Sequence, residues 1–198
     1  MPLQNRVQPT GDILAIPERG AYMGNRGILH DEQQNLTRAR WRHKAWVTCV
    51  LSFKGRRRHP LMRPSNYTEL FFHDEAVAFA AGHRPCGECR RADYNRFRAA
   101  AGVTGPITAF DTRLHADRAI ARAYKQRRHE ALLETLPDGV FVMTADGRPA
   151  LVAEDAVIPF SPNGYGAPEN RPTGRATVLT PAALIDVLRA GYTLDVRL

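Results

Sequence analysis

Little in this sequence suits a membrane. No apolar run approaches the length that spans a bilayer. The N-terminal stretch MPLQNRVQPTGDI also lacks the apolar centre of a signal peptide. A cytoplasmic protein is therefore expected. Cysteine is scarce, three in 198 residues. An odd count without an export signal argues against a disulfide framework. Internal repeats and low-complexity tracts are missing as well. Acidic residues are short in one half only: residues 1–100 hold 17 Lys and Arg against 9 Asp and Glu, a surplus of 8, while residues 101–198 hold 11 of each. The whole basic excess thus sits in the first half, and concentrated basic charge beside aromatic residues favours a polyanion partner.

What is present is enough to fold. With 43% apolar and 24% charged residues, the chain can bury one core or one core with an appendage. An α+β fold is predicted. Its organisation would be a basic, zinc-stabilised part at 1–102 and a neutral α+β part at 103–198, the two packed together or apart.

The glycines Gly20, Gly24 and Gly27 mark the first segment as loop, and no Gly-Lys-Ser/Thr follows to make it a phosphate loop. WVTCVLSF (46–53) has the strand period, with Val47, Cys49, Leu51 and Phe53 on one face. Gly55 then predicts a hairpin running on through KGRRRHPLM. YTELFF (67–72) reads as a short strand. Asp74 caps a helix, EAVAFAA, that stops at Gly82. A second helix is expected from the Cys-x-x-Cys to Gly102, with Tyr94, Phe97 and Ala101 in line. Further on, the pattern predicts a long amphipathic helix over 114–135 and a hairpin around Asp146-Gly147. A Pro/Gly/Asn-rich loop at 161–174 and a closing strand-helix-strand unit complete the chain.

The chemistry centres on Cys86-Gly-Glu-Cys89. Two thiolates at this spacing can reach one zinc ion, and amides at a helix start favour their charge. A redox pair is the rival, but it needs a preceding parallel strand where this sequence predicts a helix and Gly82. Tetrahedral zinc requires two further ligands, for which Cys49 and His59 are the candidates. Cys49 also fits a buried, inert thiol, and His59 a surface histidine.

FFHDEAVAFAAGHRPCGECRR resembles the zinc-binding motif of the Ada-type methylphosphotriester repair domain, ungapped from Phe71 through Cys89. The wider layout, MGNRG and LHD followed by the tryptophan strand, is similar to an uncharacterised bacterial metal-binding family. The Ada resemblance implies zinc at Cys86, Cys89 and His59, and DNA as partner. Carried back without a gap, it puts His59 on the family's second upstream cysteine and Gly55 on its methyl-accepting first. A glycine cannot accept a methyl group, so the reactive residue is not carried over.

Phosphate contacts are expected from Arg56, Arg57 and Arg58 at the hairpin tip and from Arg84, Arg90 and Arg91 around the cysteines, with Trp41, Trp46 or Tyr94 stacking on a base or packing the core. The sequence thus reads as a zinc-containing DNA-binding protein of repair or maintenance. Two other readings stand beside it. A nuclease-like or glycosylase-like enzyme would use His30 and Asp31, with Arg26, Glu32, His115 and Asp117 as further candidates. The other is a zinc-stabilised protein-interaction module.

Overall fold

The computed structural model describes residues 1–56 and 58–198, and shows an α+β protein. The first sheet joins β1 (Arg6–Val7), β2 (Ile13–Leu14), β3 (Tyr22–Asn25), β4 (Val47–Val50), β5 (Leu70–Phe72) and β6 (Arg84–Pro85) in the order β2-β1-β5-β3-β4-β6. After β7 (Ala119–Ile120) and β8 (Lys125–Gln126), which pair with each other, come β9 (His129–Leu132), β10 (Phe141–Met143), β11 (Pro149–Ala153), β12 (Ala156–Ser161), β13 (Gly164–Tyr165), β14 (Glu169–Asn170) and β15 (Arg175–Val178). These seven form the second sheet, ordered β13-β12-β11-β10-β15-β9 with β14 also on β12. Four α-helices accompany the sheets: α1 (Glu75–Ala80), α2 (Arg91–Ala100), α3 (Thr108–Arg118) and α4 (Ala182–Arg189).

The first helix is the centre of the molecule. Asp74 accepts a hydrogen bond from the Val77 amide at 2.9 Å and so starts α1. All six α1 residues are buried, as befits a short helix that is apolar nearly all round. Phe79 enters one core with Phe97, Phe110, Leu114 and Leu184. Ala76, Val77, Ala78 and Ala80 enter the other with Leu70, Phe72, Phe141, Leu151 and Ile158. Each core takes residues from both sides of position 102. The helix ends on Gly82, whose φ is +81°. The His83 amide bonds to Ala78 O and the Gly82 amide to Phe79 O, a left-handed stop that needs glycine. A Cβ there would also meet the Arg118 side chain at 2.5 Å.

Three expectations about the elements are corrected. Among the described residues no hairpin follows β4: its partners are β3 and, in parallel, β6, while 51–56 and 58–69 are loop. The helix expected over 114–135 ends at Arg118. Beyond it Arg118, Arg122, Lys125 and Arg128 would stand as like charges at helical spacing. There Tyr124 turns left-handed, and the Gln126 side-chain amide donates instead to the carbonyls of Ala80 and Leu179 at 2.8 and 2.9 Å. The last residues form no strand. Their amides meet carboxylates, Asp195 on Glu75 at 3.0 Å and Arg197 on Asp74 at 3.1 Å. The hairpin at Asp146-Gly147 is β10–β11, and 161–174 carries the two-residue strands β13 and β14.

Candidate metal centre

Parallel pairing of β6 with β4 builds the site. Val47 stands opposite Arg84 and Thr48 opposite Pro85. The Cys86 amide then continues the ladder onto Thr48 O at 2.9 Å. This register sets Cys86 beside Cys49. The chain turns back at once, with the Arg90 amide on Cys86 O at 3.2 Å, and so returns Cys89 to the same spot. The cysteines therefore lie in the turn before α2, which starts at Arg91.

The three sulfurs lie within 4.8 Å of one another and can hold a metal ion. All three thiols are free. Their hydrogen bonding shows how they share charge. Cys49 donates toward Cys86, which with the Glu88 and Cys89 amides favours the Cys86 thiolate and holds its pKa below the usual thiol range. The same bond, burial and the neighbouring sulfurs push Cys49 far up. Cys89 is also raised, by burial and by the Cys86 charge, although the Val50 amide favours its thiolate. Without a cation the group thus supports one thiolate well and resists three. A divalent cation reverses that balance, because its charge takes the place of the protons. The donor set fits a soft or borderline metal.

His59 is not in this group. Its predicted position depended on the absent hairpin. It is exposed and lines a pocket of about 480 Å³ with Arg6, Arg58, Met23 and Phe71. That pocket lies on the Cys49 face of the sheet, since Met23 is the register partner of both Cys49 and Phe71. No histidine, aspartate or glutamate joins the three cysteines among the described residues. Gly55 is a turn residue with φ +66°.

Most of the arginines expected to meet phosphate are committed internally. Arg84 is buried and grips Asp111 with two bonds of 2.7 Å. Arg90 is buried too, bonded to Glu75 at 2.7 Å and Asp93 at 2.8 Å, with its guanidinium 4.6 Å from the Tyr22 ring. Arg58 donates to Leu51 O at 2.6 Å, and Arg56 pairs with Glu88 on the surface at 2.5 Å. Arg91 is exposed. Arg57 lies outside the described residues.

In the His30-Asp31 loop each side chain has partners of its own. The buried His30 ring has both nitrogens engaged, Nδ1 with Thr68 Oγ1 at 2.6 Å and Nε2 with Arg63 O at 3.2 Å. Arg63 O only accepts, so Nε2 carries the proton and Nδ1 accepts from Thr68. Asp31 accepts from the amides of Gln33 and Asn35 at 3.0 and 2.9 Å and shapes the turn. Asp117 accepts from the Ala183 amide at 3.0 Å, and Glu32 is exposed.

Sequence reasoning missed a buried cationic layer. Trp46 lies between Arg26 at 4.1 Å and Arg118 at 3.8 Å. Arg26 donates to His83 Nε2 and Ala81 O, both at 3.3 Å. Arg118 donates to Gly82 O and Lys44 O. Burial and its cationic neighbour Arg40 pull Arg26 down to about 9. Burial, with Arg26 and Arg118 nearby, also keeps His83 neutral. No local signal marks this layer, because 92 positions separate Arg26 from Arg118.

Compared with family models, curated proteins and solved structures, the chain matches none of them.

Proposed function

We propose that the protein is a zinc-stabilised DNA-binding protein that acts in DNA repair or maintenance. The observation that carries this reading is the meeting of Cys49, Cys86 and Cys89 within 4.8 Å; Cys86 and Cys89 belong to the Ada-like Arg-Pro-Cys-x-x-Cys ending, and Cys49 joins them from β4. A parallel strand, β6, does precede Cys86-Gly-Glu-Cys89, as a redox pair requires. The third thiol, Cys49, within reach of both favours a metal, and zinc suits an all-sulfur donor set. Held by these residues, it supplies structural cross-linking and ties β4 to the turn before α2. The net charge of +8 supports a polyanion as partner, and the resemblance supports DNA. Arg84 and Arg90 then act as internal struts for the thiol turn, and phosphate contact falls to cations that have no carboxylate.

Metal analysis of the purified protein tests the first part. About one equivalent of zinc is expected, lost with Cys86→Ser, and a protein isolated without metal sinks the reading. Filter binding of DNA at rising salt tests the second, with affinity expected to fall steeply.

One feature favours a second reading, a nucleic-acid-processing enzyme. Three thiolates leave one of zinc's four positions to a donor from solution or substrate. Incubation with single-stranded and duplex oligonucleotides, followed by product analysis, separates the two. Turnover abolished by Cys86→Ser in a folded protein supports the enzyme.

A further inference from the structure

The cations left free of carboxylates gather on one face, far apart in sequence but adjoining in space. A groove of about 590 Å³ is lined by Arg38, Arg42, Arg122 and Tyr124. Beside it a second groove, of about 570 Å³, has Arg40, Tyr124, Lys125 and Arg128 in its wall, with Asp12 as its one carboxylate. Tyr124 is common to both. Lys44, two residues after Arg42, and Arg127, between Gln126 and Arg128, are exposed next to lining residues. None of these eight cations forms an ion pair among the described residues. All but the half-buried Arg40 are exposed or partly so. Where their side chains bond at all, the acceptors are backbone carbonyls, as for Arg42 on Ile28 O at 3.2 Å and Arg127 on Ala116 O at 3.1 Å.

The layer beneath adds charge of the same sign. Arg26 and Arg118 are buried without a carboxylate of their own, because Asp111 is taken by Arg84. The histidines beside this surface feel that charge. His43 is pushed down by burial and by Arg118, with Asp111 opposing. His115, packed against Trp41 and Trp46, is lowered to about 4 by burial, Arg118 and Lys44.

The aromatic arrangement is equally specific. Tyr124 sits edge-on to Trp41 at 5.0 Å, and Trp41 leans on Trp46 at 5.5 Å. Tyr124 also has φ +51°, an uncommon conformation for a bulky residue. The fold thus holds a tyrosine at the junction of two basic grooves and braces it from behind.

We propose that this face binds single-stranded nucleic acid, with phosphates along the two grooves and an unpaired base stacked on Tyr124. Cations tracking a backbone beside an aromatic platform are what a strand with exposed base faces requires, whereas a duplex hides those faces. An anionic membrane is a poorer fit, since Ile120 is the one large apolar side chain exposed on these segments. The proposal rests on the DNA-binding reading above and gives it a location and a preferred form of partner.

The test uses the full-length, metal-loaded protein in filter binding with an oligothymidylate, a duplex of equal length and phosphatidylserine vesicles, across a salt series. Wild type is expected to prefer the single strand. Arg122→Ala/Lys125→Ala/Arg127→Ala/Arg128→Ala should lower the log–log salt slope by about 0.7 for each phosphate no longer neutralised. Arg38→Ala/Arg42→Ala/Lys44→Ala, from the opposite side of the grooves, should do the same, so the outcome does not hang on one variant folding. Tyr124→Leu should weaken the single strand by roughly ten-fold or more, and Tyr124→Phe should leave it unchanged. Arg113→Ala/Arg148→Ala/Arg189→Ala, outside both grooves, matches the net charge of the three-residue variant and should keep the slope. Wild type that binds no nucleic acid overturns the DNA-binding reading itself. Binding that survives both groove variants overturns this location alone. Equal affinity for duplex or vesicles, with Tyr124→Leu silent, overturns the single-strand assignment.

Discussion

Around the thiols, arginine is paired: Arg84 with Asp111, Arg90 with Glu75 and Asp93, Arg56 with Glu88. Around Tyr124, eight cations have no such partner among the described residues. Both regions are rich in basic residues, yet they are different devices. In the first, Arg84 and Arg90 neutralise the buried Asp111 and Glu75 and hold a turn in place. In the second, the charge is left to act on whatever approaches. Arginine near a metal motif is therefore not free charge by default; the carboxylates it meets decide.

Four changes put this contrast to the test. Cys89→Ser should have the largest effect, abolishing stoichiometric zinc binding in equilibrium dialysis and lowering the urea-unfolding free energy by about 4 kcal/mol or more. A variant that keeps both would remove the metal from the thiol corner. Asp111→Ala comes next. It leaves the buried Arg84 without its counter-charge and should cost about 3–5 kcal/mol in the same unfolding assay. A small loss there would mean that the paired arginines are not struts.

Acid should act through His115. Its folded pKa of about 4 lies below the ordinary 6.5, so between these values the unfolded chain holds more protons. Stability should then decline as the pH falls from about 6.5 toward 4. With part of the ring in solvent, the contribution is about 1–2 kcal/mol at most. His115→Gln should flatten that part of the stability–pH curve, while the acid loss caused by the thiols remains. Equal slopes for both proteins would discard the positive potential under Trp41. Smallest of all, Arg56→Ala should leave the unfolding midpoint where it is, because its pair with Glu88 is on the surface.

What was legible in the sequence was local. Asp74 as a cap and Gly82 as a stop depend on neighbours a few positions away, and each has the expected place in the structure, whereas Cys86 and Cys89 lie in the turn before the helix they were expected to open. Cys49 is a candidate on sequence because it is the one other thiol, not because of any strand pairing. Its approach to Cys86 comes from parallel pairing with β6, whose register has no short-range signature. His59 was carried by a hairpin that Gly55 suggested and β3 pre-empted. The basic run from Arg122 to Arg128 was in plain view, four cations in seven residues without an acid. Averaging over residues 101–198 cancelled it against carboxylates such as Asp186 and Glu130, which bond to Arg113 and Thr177 instead.

The chain has two tryptophans, and both stand in the column between the thiol corner and the basic face. Trp46 immediately precedes β4, and Trp41 touches Tyr124. The protein's indole emission therefore comes from a single spot, clasped by the guanidinium groups of Arg26 and Arg118. Unlabelled, the molecule carries its own optical gauge, placed where slackening at one region or occupancy at the other would each leave a spectral trace.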